Sequence, residues 1–224
     1  MKRPAFGASW ALYLIAALLL LFAGIGWAVF HGYSHALDVA AILSLRNGLD
    51  PIGPAWMAEA ARDVTSLGSV VVVCFIVASF AGYLFLSGRR SSAILMLVSA
   101  TGALVLNDLL KVIFDRPRPD LSLPSIRVFT SGFPSGHAAL STVAYFIMAS
   151  LLAQSARSAL LKRYIMATAT LLVLLIGMSR VYLGVHYPTD VLAGWCVGAS
   201  WALICWLGQK ATEHRQSGSG AEHR

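Results

Sequence analysis

Six stretches of the chain run without a charged residue, at 10–30, 64–88, 91–107, 138–156, 164–179 and 191–209. About 20 apolar residues cross the hydrocarbon core of a bilayer as a helix, within a range of roughly 17–25. The pattern therefore predicts six transmembrane helices. The third and fifth windows are short, and each gains a turn if Lys111, or Lys162 and Arg163, lays its stem along the helix. The polar stretch 31–63 contains two apolar pieces, 36–45 and 55–61, which read as short helices at the interface. Past Gln209 the apolar pattern stops, and 210–224, with its run of Ser and Gly from Ser217, reads as a disordered polar tail. The expected fold is all-α: a polytopic membrane protein with one six-helix domain over 1–209.

Composition agrees with that reading. The chain is 58% hydrophobic and 12% charged, against about 25% charged residues in a soluble domain. The mean hydropathy of +0.72 excludes a water-soluble domain, a disordered chain and a collagen-like fibre. The first window follows Lys2 and Arg3 but outruns the roughly 7–15 apolar residues of a signal peptide, so it reads as a retained span. Cys74, Cys196 and Cys205 all sit in apolar runs and show no disulfide or zinc spacing, which points to packing.

The net charge of +7 is informative only loop by loop, and it gives no reason to expect nucleic acid. Ten of the 17 basic residues, including Lys2, Arg3, Arg89, Arg90, Arg157, Lys162 and Arg163, fall on one side, with only Glu213 and Glu222 against them. The other side holds seven basic and eight acidic residues. Lys and Arg in excess mark the cytoplasmic side, so both termini are expected inside an inner or plasma membrane. The loops at 31–63, 111–136 and 180–190 then face the periplasm or the exterior.

Three polar clusters fall on that outward face. Lys111 ends the third span, while Pro117 and Pro119 forbid further helix and put Arg118 on an extended turn. Alone, such cations also suit lipid headgroups. Ser135, Gly136 and His137 open the fourth span. Ser135 is a natural N-cap, Gly136 admits a ligand to the backbone, and the free N–H groups of the first turn form an anion site. Alone, these residues also suit a plain cap with an interfacial histidine. Arg180, His186 and Asp190 join the last two spans. Pro188 suits the start of a helix, which leaves His186 just before it and Asp190 in its first turn, within reach of the imidazole. Two histidines, an aspartate, three cations and a helix N-terminus at one interface together indicate a phosphate site.

At these residues the chain resembles the type 2 phosphatidic acid phosphatase superfamily, lipid phosphatases related to vanadium haloperoxidases. The family signature is K-x6-R-P, P-S-G-H and S-R-x5-H-x3-D. Here it reads Lys111, Arg118, Pro119; Pro134, Ser135, Gly136, His137; and Ser179, Arg180, His186, Asp190. The resemblance implies that His186 is the nucleophile that forms a phosphohistidine. It implies that His137 protonates the leaving alkoxide and that Asp190 orients His186. Lys111, Arg118, Ser135, Gly136 and Arg180 then cradle the phosphate. The implied partners are membrane lipids and a lipid phosphate substrate: undecaprenyl diphosphate, phosphatidylglycerol phosphate, phosphatidic acid or a lipid A phosphate. The outer loops carry no paired-carboxylate metal cage, and three cations can replace a divalent ion, so neither a metal nor another cofactor is expected. Two alternatives remain open: a lipid phosphotransferase on the same site, and a transporter that moves lipid phosphates without cleaving them.

Other residues carry weaker signals. His31 and His35 lack further ligands and read as interfacial. Asp108 suits a pairing with Lys111 or an active-site arginine, and equally a solvated rim. Asp63 reads as the cap of the second span, with a lid or headgroup contact as the sharper possibility. Asp115, Arg116 and Arg127 are candidates for tuning substrate choice. Gly194 and Gly198 predict close helix packing. Trp10, Trp27, Trp56 and Trp206 are expected at the interfaces, and Trp195 and Trp201 between helices.

Overall fold

A computed structural model describes residues 6–48, 50–119 and 131–222 of the chain. It contains eight helices and a minute hairpin: α1 (Phe6–Phe30), α2 (His35–Leu43), β1 (Arg46–Asn47), β2 (Asp50–Pro51), α3 (Ala55–Ser66), α4 (Val70–Leu86), α5 (Arg90–Phe114), α6 (Gly136–Ser155), α7 (Ala159–Tyr182) and α8 (Pro188–Glu222). The two strands pair antiparallel. Helices α1, α5, α6, α7 and α8 are each long and apolar enough to cross a membrane. α3 and α4 meet at 47° and make a sixth span if the pair is counted as one. The protein is a multi-pass membrane protein, and α2 and α3 are the two short helices expected in the 31–63 region.

The second window is therefore not one straight helix. The chain breaks between Ser66 and Val70, where Ser69 caps α4 by accepting the Val72 N–H at 3.4 Å. Asp63 is no cap; it lies exposed within α3. A Cβ on Gly68 would stand 2.5 Å from Ile176 Cγ2 and 3.3 Å from His137 Cδ2, so only glycine lets the bend approach α6 and α7 this closely. At the other end of the chain, α8 continues through the expected tail to Glu222. Lys210, Ala211, Glu213, Arg215 and Gln216 are good helix formers with no proline among them, so nothing local stops the helix at Gln209.

α6 is the central helix. Its small residues Ala138, Ala139, Ser141, Thr142 and Ala144 are all buried, and α4, α5, α7 and α8 pack around it. Val73, Val77, Ala81 and Leu84 form one stripe of α4 that meets Ala93, Met96, Ala100 and Ala103 of α5 and Leu140, Val143, Ile147 and Leu151 of α6. Lipid tails are as apolar as these side chains, so the packing depends on close van der Waals fit rather than on exclusion of water. Thr142 returns its hydroxyl to Ala138 O at 2.6 Å and Ser200 to Cys196 O at 2.8 Å, which keeps interior polar groups satisfied. Trp201 seals against Gly102 and donates to Ser99 O at 2.9 Å, while Trp195 packs on Gly177. Cys196 is buried as expected, whereas Cys74 is exposed on the outer surface of the bundle.

α6 and α8 meet through Gly194 and Gly198. A Cβ on Gly194 would lie 2.6 Å from Ser135 O, and one on Gly198 2.6 Å from Ala139 O. Backbone cannot move aside as a flexible side chain does. Gly194→Ala is expected to cost about 1–3 kcal/mol through overpacking, read as a lower Tm in detergent. Gly82→Ala, where nothing lies within 4 Å of the new methyl, should leave Tm level or raise it. Equal Tm values for the two variants would contradict this account of the α6–α8 contact.

The C-terminal ends of α5 and α7 and the N-terminal ends of α6 and α8 gather at one end of the bundle, with α2 and α3 beside them. At the opposite end Arg89 donates to Ser155 at 3.1 Å and ties the α4–α5 turn to the end of α6.

Candidate active site

Asp115 ends α5 in a left-handed conformation (φ 37°), and the chain then leaves the helix without regular secondary structure through Arg116, Pro117, Arg118 and Pro119. This turns Arg118 back over the loop between α7 and α8. Its Nη1 donates to Val185 O at 2.9 Å and lies 2.9 Å from His186 Nε2. A guanidinium only donates, so Nε2 must be the accepting nitrogen and the ring proton sits on Nδ1. Nδ1 faces Asp190 Oδ2 at 3.4 Å. That oxygen accepts the Tyr187 N–H at 2.9 Å, and the longer approach to Nδ1 is not a hydrogen bond. Burial holds the His186 imidazole well below its ordinary pKa, and Arg118, Arg180, His137 and Lys111 push in the same direction. His186 is therefore a neutral imidazole with its lone pair aimed at Arg118. Burial also lowers Arg118, and the Asp190 carboxylate partly opposes this.

The remaining predicted residues close around this pair. Lys111, on the last turn of α5, places Nζ 3.6 Å from where a Cβ on Gly136 would stand, so a side chain at 136 would crowd the ammonium. Ser135 holds the N-cap position of α6, but its hydroxyl makes no capping bond. Its N–H instead donates to Asp190 O at 2.9 Å and ties the start of α6 to α8. Arg180 is 4% exposed and donates through Nη1 to Thr65 Oγ1 at 3.0 Å. His137, in the first turn of α6, is within electrostatic reach of Arg180, Arg118 and Lys111. The structure thus brings Lys111, Arg118, Ser135, Gly136, His137, Arg180, His186 and Asp190 to one end of the bundle.

Several buried polar atoms there have no hydrogen-bond partner: Arg180 Nε, Ser135 Oγ, Asn107 Oδ1 and His186 Nδ1. Buried donors left unmade are costly and call for an explanation. Two of them, a guanidinium N–H and a hydroxyl, are donors that an anion in this space would satisfy.

Sequence reasoning missed part of the site. Asn107, one turn before Lys111 on α5, is buried with Nδ2 3.1 Å from the Gly136 Cβ position. Asp38 of α2 is 2% exposed and pairs with Arg116, itself 9% exposed, at 2.7 Å. Arg116 reaches Asp190 Oδ1 at 2.6 Å. The sequence offered little signal: Asp38 is a single carboxylate on an interfacial segment, Asn107 sits beside Asp108, and Arg116 was expected only to tune substrate choice, not to hold Asp190. Among the other candidates, Asp115 and Asp108 are exposed at the rim. His31 stacks with Trp27 and Tyr33, and His35 meets Tyr187 edge-on. Arg127 lies outside the described residues.

The family model of the PAP2 superfamily matches residues 92–213. The chain is 32% identical to phosphatidylglycerophosphatase B of Bacillus subtilis over 83% of its own length and 87% of the relative's. It is 33% identical to a lipid A 1-phosphatase of Rhizobium etli over 69% of this chain and 74% of that one. Among solved structures it matches a transmembrane PAP2 type phosphatidylglycerolphosphate phosphatase from Bacillus subtilis. That match has a TM-score of 0.76 at 27% identity, covering 89% of this chain and 97% of the other.

Proposed function

The chain belongs to the PAP2 superfamily, and on that premise we propose that it hydrolyses a terminal phosphate from a membrane lipid through a phosphohistidine at His186. It is a membrane-embedded phosphatase, as its relatives are. The observation that carries the mechanism is the neutral His186, with Nε2 held 2.9 Å from Arg118 and ringed by cations.

Phosphate enters between Lys111, Arg118 and Arg180 and takes over the Arg118 N–H that rests on Nε2. The released lone pair attacks phosphorus. An N–P bond forms, the P–O bond to the lipid alkoxide breaks, and His137 supplies the proton to the leaving oxygen. Asp190 balances the imidazolium created on His186. Water then attacks phosphorus, His137 accepts its proton, the N–P bond breaks and inorganic phosphate leaves. The three cations, Ser135 and the first-turn amides of α6 stabilise the charge spread over the equatorial oxygens.

A groove of about 600 Å³ supports the lipid assignment. It runs between α3, α7 and α8 beside the site, lined by Trp56, Met57, Val64, Met178, Val191 and Trp195 among others. Such a groove suits an acyl or prenyl chain while the headgroup meets the cradle. The excess of Lys and Arg in the segments away from the three motifs supports a cytoplasmic side there and a site on the extracytoplasmic face. Hydrolysis is preferred over transfer to a second lipid and over transport. The transport reading is disfavoured because the polar groups gather at one end of the bundle, whereas transporters carry them at mid-membrane.

Among the substrates, phosphatidylglycerol phosphate ranks first, because the Bacillus subtilis relatives are named for it. Purified enzyme with a chelator present is expected to release phosphate from that lipid faster than from phosphatidic acid, undecaprenyl diphosphate or a lipid A phosphate. Loss of all activity in chelator would overturn the metal-free mechanism. Phosphate passed to an added lipid acceptor, without free phosphate, would favour the transferase.

A further inference from the structure

We propose that Asp38 and Arg116 are positioning residues of this phosphatase, holding Asp190, and through it His186, from the interfacial helix α2. The inference rests on the phosphohistidine reading above and extends it to two residues that the three motifs do not specify.

The guanidinium of Arg116 is wedged between two carboxylates from opposite ends of the sequence. Nη1 lies 2.6 Å from Asp190 Oδ1 and 2.8 Å from Thr189 Oγ1. Nη2 lies 2.7 Å from Asp38 Oδ2. The plane stacks over Tyr187, with the guanidinium carbon 4.4 Å from the ring centroid. Asp38 also accepts the Thr189 N–H at 3.1 Å and the Thr189 hydroxyl at 2.6 Å. It therefore satisfies a free N–H at the first turn of α8 from another helix.

Two consequences follow for Asp190. Its carboxylate is tied at both oxygens, Oδ1 by Arg116 and Oδ2 by the Tyr187 N–H, so its plane cannot turn away from His186 Nδ1. Its charge is also preserved for the imidazole. Arg116 paired with Asp190 alone would draw that charge away. Asp38 neutralises Arg116 from the far side, leaving one net negative charge facing the ring. The groups around His186 are Lys111 of α5, Arg116 and Arg118 of the segment after it, His137 of α6, Arg180 of α7, Asp38 of α2 and Asp190 of α8. Lys111, Arg116, Arg118 and Arg180 among them are cations, so that single negative charge carries the imidazolium.

The test uses full-length enzyme in detergent–lipid micelles. Phosphate release from phosphatidylglycerol phosphate is followed across pH for the parent, Asp38→Asn, Arg116→Met, Arg116→Lys and His186→Ala. Asp38→Asn and Arg116→Met are expected to lower kcat by about 10–100-fold, the scale of losing an outer partner of a site ligand, with KM little changed. Arg116→Met removes the cation that keeps Asp190 ionised, so the acid limb of the kcat/KM profile moves to higher pH. Asp38→Asn leaves Arg116 wholly on Asp190, so its limb moves to lower pH or stays. Arg116→Lys keeps the charge and the limb, but loses rate because an ammonium cannot fork between two carboxylates. It carries the test together with Asp38→Asn if Arg116→Met does not fold.

Acid limbs that coincide with the parent for both charge-altering variants, or a loss confined to KM, would overturn the proposal. A purely structural role lowers rate and Tm evenly and moves no limb. Turnover by His186→Ala would sink the phosphohistidine reading itself. A dead His186→Ala beside unimpaired Asp38→Asn and Arg116→Met would sink this inference alone.

Discussion

Replacing His186 with alanine should reduce phosphate release by a factor on the order of 10⁶, the scale on which loss of a nucleophile registers in a hydrolase. The cradle survives the change, because Arg118 keeps its bond to Val185 O and Lys111 and Arg180 are untouched. Lipid binding should therefore persist while chemistry stops. Labelled substrate should leave acid-labile, base-stable phosphate on the parent and none on the variant. Parent-like turnover in the variant would end the proposal.

The same substitution has a consequence for stability. In the fold, His186 takes up a proton only well below its ordinary pKa, whereas in the unfolded chain it does so at about 6.5. Between those values the unfolded state binds the extra proton, so His186 makes the fold lose stability as pH falls below about 6.5. His186→Ala removes that contribution. Its Tm should fall less steeply than the parent's as pH is lowered from neutrality.

Asp190→Asn is expected to lower kcat by about 10⁴-fold, as the equivalent change does in a serine protease triad, with KM little altered. An amide at this position must satisfy the Arg116 N–H and the Tyr187 N–H with acceptors, and it has one oxygen for both. If its NH₂ turns toward His186 Nδ1, the ring must put its proton on Nε2, where it meets the Arg118 donor 2.9 Å away. The lone pair needed for attack is lost. Retention of activity within about tenfold of the parent would show that Asp190 does not set the tautomer.

The spans were legible because a bilayer imposes length and apolarity on each helix separately, and the chain writes both into uninterrupted windows. The exception, the second window, failed for a local reason. Thr65, Ser66, Gly68 and Ser69 carry no charge, so an uncharged window cannot register them. Yet Gly68 makes the close approach to His137, and Ser69 caps a new helix. Trp195 and Trp201 were placed between helices because they fall inside one span, and both are found against glycines of neighbouring helices.

The eight candidate residues were legible for a different reason. Motif spacing brings each to a helix end, and the alternation of spans puts those ends on one side of the membrane. Ser135 shows the limit of such reading. Its residue type predicted a cap, whereas its hydroxyl is buried without a partner and its N–H is bound to α8. Asp38 was invisible for the converse reason. A single aspartate on an interfacial helix looks solvated until the fold sets α2 against α8 and buries it.

By itself, then, the sequence determined what depends on one segment at a time: the helices, their membrane character, the shared end of the motifs and the family chemistry. The tertiary structure alone decided what depends on two distant segments meeting. Arg118 lies on the lone pair of His186, Gly194 lies against Ser135, and Arg116 lies between Asp38 and Asp190. Charges and hydrogen bonds act over a few ångströms, and only folding fixes those distances between segments so far apart along the chain.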